Sequence, residues 1–128
     1  MILGPNSMIK QIKSSEVKNF IKNNVETVLL DVRTEDEWKT IGKPETKNFG
    51  IKTFFITLTQ DLGFIENVKK EINKKNNVLV ICAAGGRSII AANLLKNEGY
   101  AAHNISDGFS GNGQDPGWKN SGLPSDEA

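Results

Sequence analysis

Cysteine occurs once in this chain, at position 82. A lone thiol forms no internal disulfide and supplies no multi-cysteine zinc or iron–sulfur cage, so stability must come from a packed core and a reducing, cytoplasmic setting is expected. Histidine also occurs once. His103 falls where a last strand is expected, and it reads as a packing or surface residue rather than as a base for Cys82. No apolar segment approaches the length of a membrane span or a signal-peptide core, which argues against a membrane partner. The formal net charge is only +1, so no global field draws in nucleic acid or an anionic surface. Neither a metal nor an organic cofactor is called for by any residue cluster.

Arginine is scarce. Of sixteen basic residues fourteen are lysine, and only Arg33 and Arg87 are arginine. Against a background this rich in lysine, each arginine marks a place where a planar, permanently charged, multi-donor fork serves better than an ammonium. The blander reading, a structural ion pair, applies with most force to Arg33.

At 128 residues with 38% hydrophobic and 24% charged side chains, the chain fits one domain with a core of its own. Residues 1–8 read as an appended leader or an unstructured start ahead of Met8, residues 9–124 as the domain, and residues 125–128 as a tail. Residues 9–12 suit a short edge strand. Ser14 or Ser15 offers a cap for an amphipathic helix over residues 15–23, with Val17, Phe20 and Ile21 on one face. The run from Val28 to Arg33 reads as a buried parallel strand ending in two charges, Asp31 and Arg33. Thr34 to Glu37 has capping-box character and opens a helix through Trp38 and Ile41, closed by Gly42 and Pro44. The acidic run Glu35-Asp36-Glu37 is expected to be a solvated helix start.

Residues 43–52 lack periodicity and read as loop, residues 53–58 as a strand, and Ile65, Val68 and Ile72 as the apolar face of a third helix. A second apolar run, from Asn77 to Ile81, ends in Cys82. Ala83, Ala84, Gly85, Gly86, Arg87 and Ser88 follow, then a helix of about residues 87–98 capped by Gly99, and a last strand over residues 100–105. Phe109, Trp118 and Leu123 should anchor a glycine-rich tail. Strands alternating with helices predict a parallel sheet covered on both faces.

The stretch around Cys82 concentrates the chemistry. A thiol at the carboxyl end of a buried strand faces the crevice where open α/β sheets place ligands. Small side chains after it let backbone N–H groups converge on the sulfur, and a helix start adds its positive end. Such a setting favours thiolate over thiol, and Arg87 is placed to add charge-assisted donors to an anion. Gly85-Gly86-Arg87-Ser88 has neither the glycine spacing of a dinucleotide site nor the Gly-Lys-Ser/Thr of a phosphate loop. Four residues separate Cys82 from Arg87, one fewer than in the Cys-x5-Arg cup of cysteine phosphatases and arsenate reductases.

With Asp31-Val-Arg33, Trp38, Gly42, Gly85-x-Arg87-Ser88, Asp107-Gly-Phe-x-Gly111 and the ending Gly117-Trp-Lys-x-Ser-Gly-Leu-Pro124, the chain resembles a single-domain rhodanese, a sulfurtransferase homology domain, over about residues 9–124. Phe109 and Asn112 depart from the Gly-Trp with which that glycine-rich segment often ends, and Ala83 and Ala84 replace the basic or polar loop residues of many members. The resemblance implies a three-layer fold with a mostly parallel five-stranded sheet and helices on both faces. It implies a sulfurtransferase in which Cys82 takes the outer sulfur of a small anionic donor such as thiosulfate. The persulfide so formed then passes its sulfur to a thiol (cyanide in an assay), with an acceptor protein as a further partner. Arg87 is expected to orient the donor, Asp31 to brace the site and Arg33 to lie near its rim. A monomer fits the balanced charge. The alternatives are a non-catalytic module that keeps the fold, or a cysteine phosphatase or arsenate reductase.

Overall fold

The computed structural model describes residues 9–126; the reading of residues 1–8 as an artificially appended stretch or an unstructured start therefore lies outside the described residues. Two apolar runs form the centre, as their composition demands. Strand β2 (Thr27–Asp31) is buried throughout and β5 (Asn77–Ile81) nearly so. They pair in parallel with Val28 opposite Val78 and Leu30 opposite Val80. β6 (Ala101–Ile105) and the two-residue edge strand β1 (Gln11–Ile12) extend the sheet on one side. β4 (Lys52–Phe55) closes it on the other. All five strands run parallel in the order β1-β6-β5-β2-β4.

Strand alternation sorts the core into two halves. Val28, Leu30, Val78, Val80 and Cys82 meet Phe64 and Val68 of α3 (Gly63–Glu71) and Ala91, Ala92 and Leu95 of α4 (Gly86–Asn97). On the other face Leu29, Leu79, Ile81 and Ile105 meet Val17 of α1 (Val17–Asn23), together with Phe109, Trp118 and Leu123 from the tail. Helices thus lie on both faces, and the tail completes the second. Trp118 is fully buried and its indole N–H donates to the Pro124 carbonyl at 2.7 Å, which ties the tail's end back onto its own anchor. Among the described residues no helix is long and apolar enough to cross a membrane.

The helix start near Ser14 and Ser15 differs from expectation. Residues Ser14–Glu16 form a 3-10 turn ahead of α1. Ser14 does not cap it; both its N–H and its hydroxyl donate to Asp107 Oδ1 at 2.9 Å. The other oxygen of that buried carboxylate accepts from the Gly117 N–H. A buried carboxylate needs several donors, and Ser14 serves it better than it serves the helix. Residues 43–52 also contain an element that periodicity could not show. β3 (Lys43–Pro44) pairs antiparallel with β7 (Ser125–Asp126), so residues 125–126 of the expected tail join the domain. The predicted strand over residues 53–58 is regular only to Phe55, but the amides of Ile56 and Leu58 continue to bond the carbonyls of Asp31 and Val32.

The chain leaves β2 toward β4 on one side and leaves β5 toward β6 on the other. The carboxyl ends of β2 and β5 therefore flank the sheet's switch point, the crevice where this class of fold binds its ligands. Asp31 and Cys82 stand on its two sides.

Candidate active site

Cys82 follows β5 directly and is 1% exposed. Its Sγ accepts from the Gly85 N–H at 3.1 Å and from the Ser88 hydroxyl at 3.2 Å. Burial pushes the thiol up, yet the Ser88 hydroxyl and the amides of Ser88, Gly85 and Ala84 outweigh it and hold the group below the ordinary thiol range. Donors that stabilise a thiolate more than burial penalises it are what a nucleophilic cysteine requires.

Two glycines make the loop geometry possible. Gly85 has φ +100°, and a Cβ there would run into the Ser106 carbonyl. Gly108 has φ +62°, and its Cβ would strike the Ala83 carbonyl and the Ala84 amide nitrogen. Left-handed backbone and close approach together demand glycine at both places. The segment after β6 then holds the loop from outside. The Phe109 N–H bonds the Cys82 carbonyl at 2.8 Å and the Ser110 N–H bonds the Ala83 carbonyl at 2.9 Å.

Of the six loop residues singled out by sequence, Ala84, Gly85 and Ser88 act on the sulfur. Ala83 contributes its carbonyl to the bracing just described, and the exposed Gly86 opens α4. Ser88 is fully buried, and its hydroxyl also bonds Asn104 Oδ1 on β6. The Asn104 side-chain amide donates in turn to the Gly85 carbonyl at 3.2 Å and to Gln11 Oε1 at 2.8 Å. One hydroxyl proton thus faces two acceptors, Sγ and Oδ1.

Arg87 is turned toward a partner that sequence reasoning passed over. Its Nη1 and Nη2 donate to the two carboxylate oxygens of Glu37 at 2.8 Å each. Glu37 belongs to α2 (Glu35–Thr40), and the capping box read from the sequence is present: Glu37 accepts from the Thr34 N–H and hydroxyl at 3.0 Å. Arg87 holds the Glu37 carboxyl down to about 2 against the upward push of burial, and the Thr34 donors add to the effect. Glu37 is therefore not a solvated member of an acidic run. The box indicated how its carboxylate is held, but fifty residues separate it from the arginine it meets.

Arg33 overturns the expectation of a rim position. It is fully buried, as is Asp31. Arg33 donates from its backbone N–H, Nε and Nη2 to the Asp31 carboxylate and from Nη2 to the Gly42 carbonyl, and its guanidinium lies 4.4 Å from the centre of the Phe109 ring. Alternation sends residue 33 to the face occupied by Phe109, away from the sulfur. Asp31 accordingly braces Arg33 and the end of β2; it makes no bond to the loop. His103 packs edge-to-face on Phe20 at 5.5 Å. It shares the Leu79 face of the sheet, opposite the Cys82 side chain, where burial lowers its basicity.

The chain as a whole is similar to known proteins. Residues 10–127 match the family described as the STR4 middle domain. An uncharacterized protein of Rickettsia prowazekii is 41% identical over 120 residues, covering 91% of this chain and 97% of that protein. The rhodanese-like/PpiC domain-containing protein 12 of Arabidopsis thaliana is 26% identical over 112 residues, which are 84% of this chain and 35% of the plant protein. Among solved structures, Rv0390 from M. tuberculosis superposes with a TM-score of 0.78 at 27% identity, over 91% of this chain and 96% of that one. The fold is also that of the polysulfide-sulfur transferase of Wolinella succinogenes, with a TM-score of 0.67 at 24% identity over 91% and 77% of the two chains. A parallel five-stranded sheet carrying a cysteine loop at its switch point, with relatives of this kind along nearly its whole length, places the chain in the rhodanese family, within the group described as the STR4 middle domain.

Proposed function

We propose that the protein is a sulfurtransferase working through a persulfide on Cys82. The observation that carries this reading is the convergence of the Gly85 N–H and the Ser88 hydroxyl on Sγ, in a loop packed too closely against its surroundings for a Cβ at Gly85 or Gly108. The thiolate attacks the outer sulfur of a sulfane donor. The bond from that sulfur to the rest of the donor breaks, and the departing group (sulfite, from thiosulfate) keeps the electron pair. Cys82 is left as Cys82–S–S⁻, and the loop donors are positioned to steady it, as preorganised dipoles steady a developing anion. A thiolate acceptor, free or on a partner protein, then attacks the outer sulfur and restores the Cys82 thiolate.

Activation comes from hydrogen-bond donors, so no histidine base is needed, in keeping with His103 on the other face of the sheet. The test is the intact mass of the protein after incubation with sulfane donors. Wild type should gain the mass of one sulfur and lose it to a thiol, while Cys82→Ala gains nothing. A wild type that takes up no sulfur from any donor would make the chain a non-catalytic module of the same fold. Hydrolysis of an aryl phosphate, abolished by Cys82→Ser, would favour a phosphatase instead.

A further inference from the structure

Arg87 is the only charged side chain between Cys82 and Ser88, and both its terminal nitrogens are bound to one carboxylate. Glu37 also accepts from the Thr34 N–H and hydroxyl at the helix cap. Ala83 and Ala84 add no cation. The other arginine, Arg33, lies on the face of the sheet away from the sulfur, closed on Asp31 with no exposure at all. The cradle thus presents a thiolate, a set of amide dipoles and one ion pair that sums to zero.

We infer that this site selects sulfane donors of low charge, neutral hydropersulfides and monoanions, over the dianion thiosulfate, and that Glu37 sets the preference by neutralising Arg87. The inference rests on the sulfur-transfer reading above. A thiolate repels a dianion about twice as strongly as a monoanion at equal distance, and here no unpaired cation in the loop offsets the difference. With a hydropersulfide the step balances as Cys82–S⁻ plus R–S–SH giving Cys82–S–SH plus R–S⁻. With methanethiosulfonate, Cys82 takes the outer sulfur and methanesulfinate leaves with the electron pair. That donor and thiosulfate undergo the same bond cleavage and differ by one unit of charge, which makes them a matched pair.

The experiment measures kcat/KM for both donors with one thiol acceptor, in wild type, Glu37→Gln and Glu37→Asp. Glutamine keeps an oxygen for the Thr34 donors and removes the charge. The ratio of thiosulfate to methanethiosulfonate should rise about tenfold in Glu37→Gln, the effect of one unit charge at short range in a partly solvated site. It should stay near the wild-type value in Glu37→Asp. Wild type alone supplies a second reading that needs no variant to fold. Repulsion is screened by salt, so kcat/KM for thiosulfate should rise as potassium chloride is added. An unchanged ratio in Glu37→Gln, or a thiosulfate rate that falls with salt, overturns the inference. Sulfur uptake from thiosulfate on those terms would leave the sulfur-transfer reading standing; uptake from neither matched donor nor from the hydropersulfide of 2-mercaptoethanol would remove that reading itself.

Discussion

Replacing Ser88 by alanine isolates the strongest side-chain contribution to the reactivity of Cys82. The hydroxyl lies 3.2 Å from Sγ, and both residues are buried, at 0% and 1% exposure, so water cannot take its place. A hydrogen bond to a charged group contributes roughly 1.5–3 kcal/mol. At about 1.4 kcal/mol per pH unit, its loss should raise the thiolate titration midpoint by about 1–2 units. The assay is the ultraviolet absorbance of the thiolate followed against pH, with Cys82→Ala as the blank that subtracts ionisation of Tyr100, so that the difference signal belongs to the single cysteine in the chain. Because the same proton is also offered to Asn104 Oδ1, Asn104→Leu removes a competitor and should move the midpoint the other way, by about half a unit to one unit for a bond of ~1 kcal/mol. If Ser88→Ala leaves the midpoint where it is in wild type, the hydroxyl proton rests on Asn104 in both charge states. The account of the thiolate as stabilised by Ser88 would then fail.

Gly85→Ala and Gly108→Ala should each lower unfolding free energy by about 3 kcal/mol or more in denaturant titrations, since a disfavoured backbone conformation and a clash with backbone atoms add together; a loss under 1 kcal/mol would mean the loop yields easily. Asp31→Asn leaves the fully buried Arg33 guanidinium without its counter-charge and should cost about 3–5 kcal/mol in the same measurement, the usual penalty for breaking a buried pair from one side. Glu37 has a folded value of about 2, below its ordinary 4.5, so its ionisation favours the fold. The contribution is complete above about pH 4.5 and disappears as pH falls toward 2. The stability difference between wild type and Glu37→Gln, about 1–2 kcal/mol after discounting for a pair in which the Arg87 side chain is 41% exposed, should follow that window, and a difference unaffected by acid would contradict it.

Much of the fold was legible in local chemistry. The runs ending at Asp31 and Cys82 are too uniformly apolar to be anything but central parallel strands. Thr34 and Glu37 announce a helix start three residues apart, within reach of one another by helix geometry alone. The position of Cys82 at a strand end, and the small residues after it, pointed to a loop of converging amides because those features depend only on neighbours in sequence. What escaped notice depends on partners far apart in the chain: Glu37 with Arg87, Ser14 with Asp107, Ser88 with Asn104, and the ladder between residues 43–44 and 125–126.

The two arginines show where the division falls. Their scarcity among lysines marked both as sites for a planar fork, and composition alone established that much. Which carboxylate each fork engages was decided by the sheet. Strand alternation carried Arg33 to the face away from the sulfur and into contact with Phe109, while the approach of α2 to the start of α4 delivered Glu37 to Arg87. Adjacent residues build the buried thiol and the backbone loop around it, so both were legible locally. The net charge around that loop belongs to the packed fold, because it is the sum over side chains brought together from distant parts of the chain.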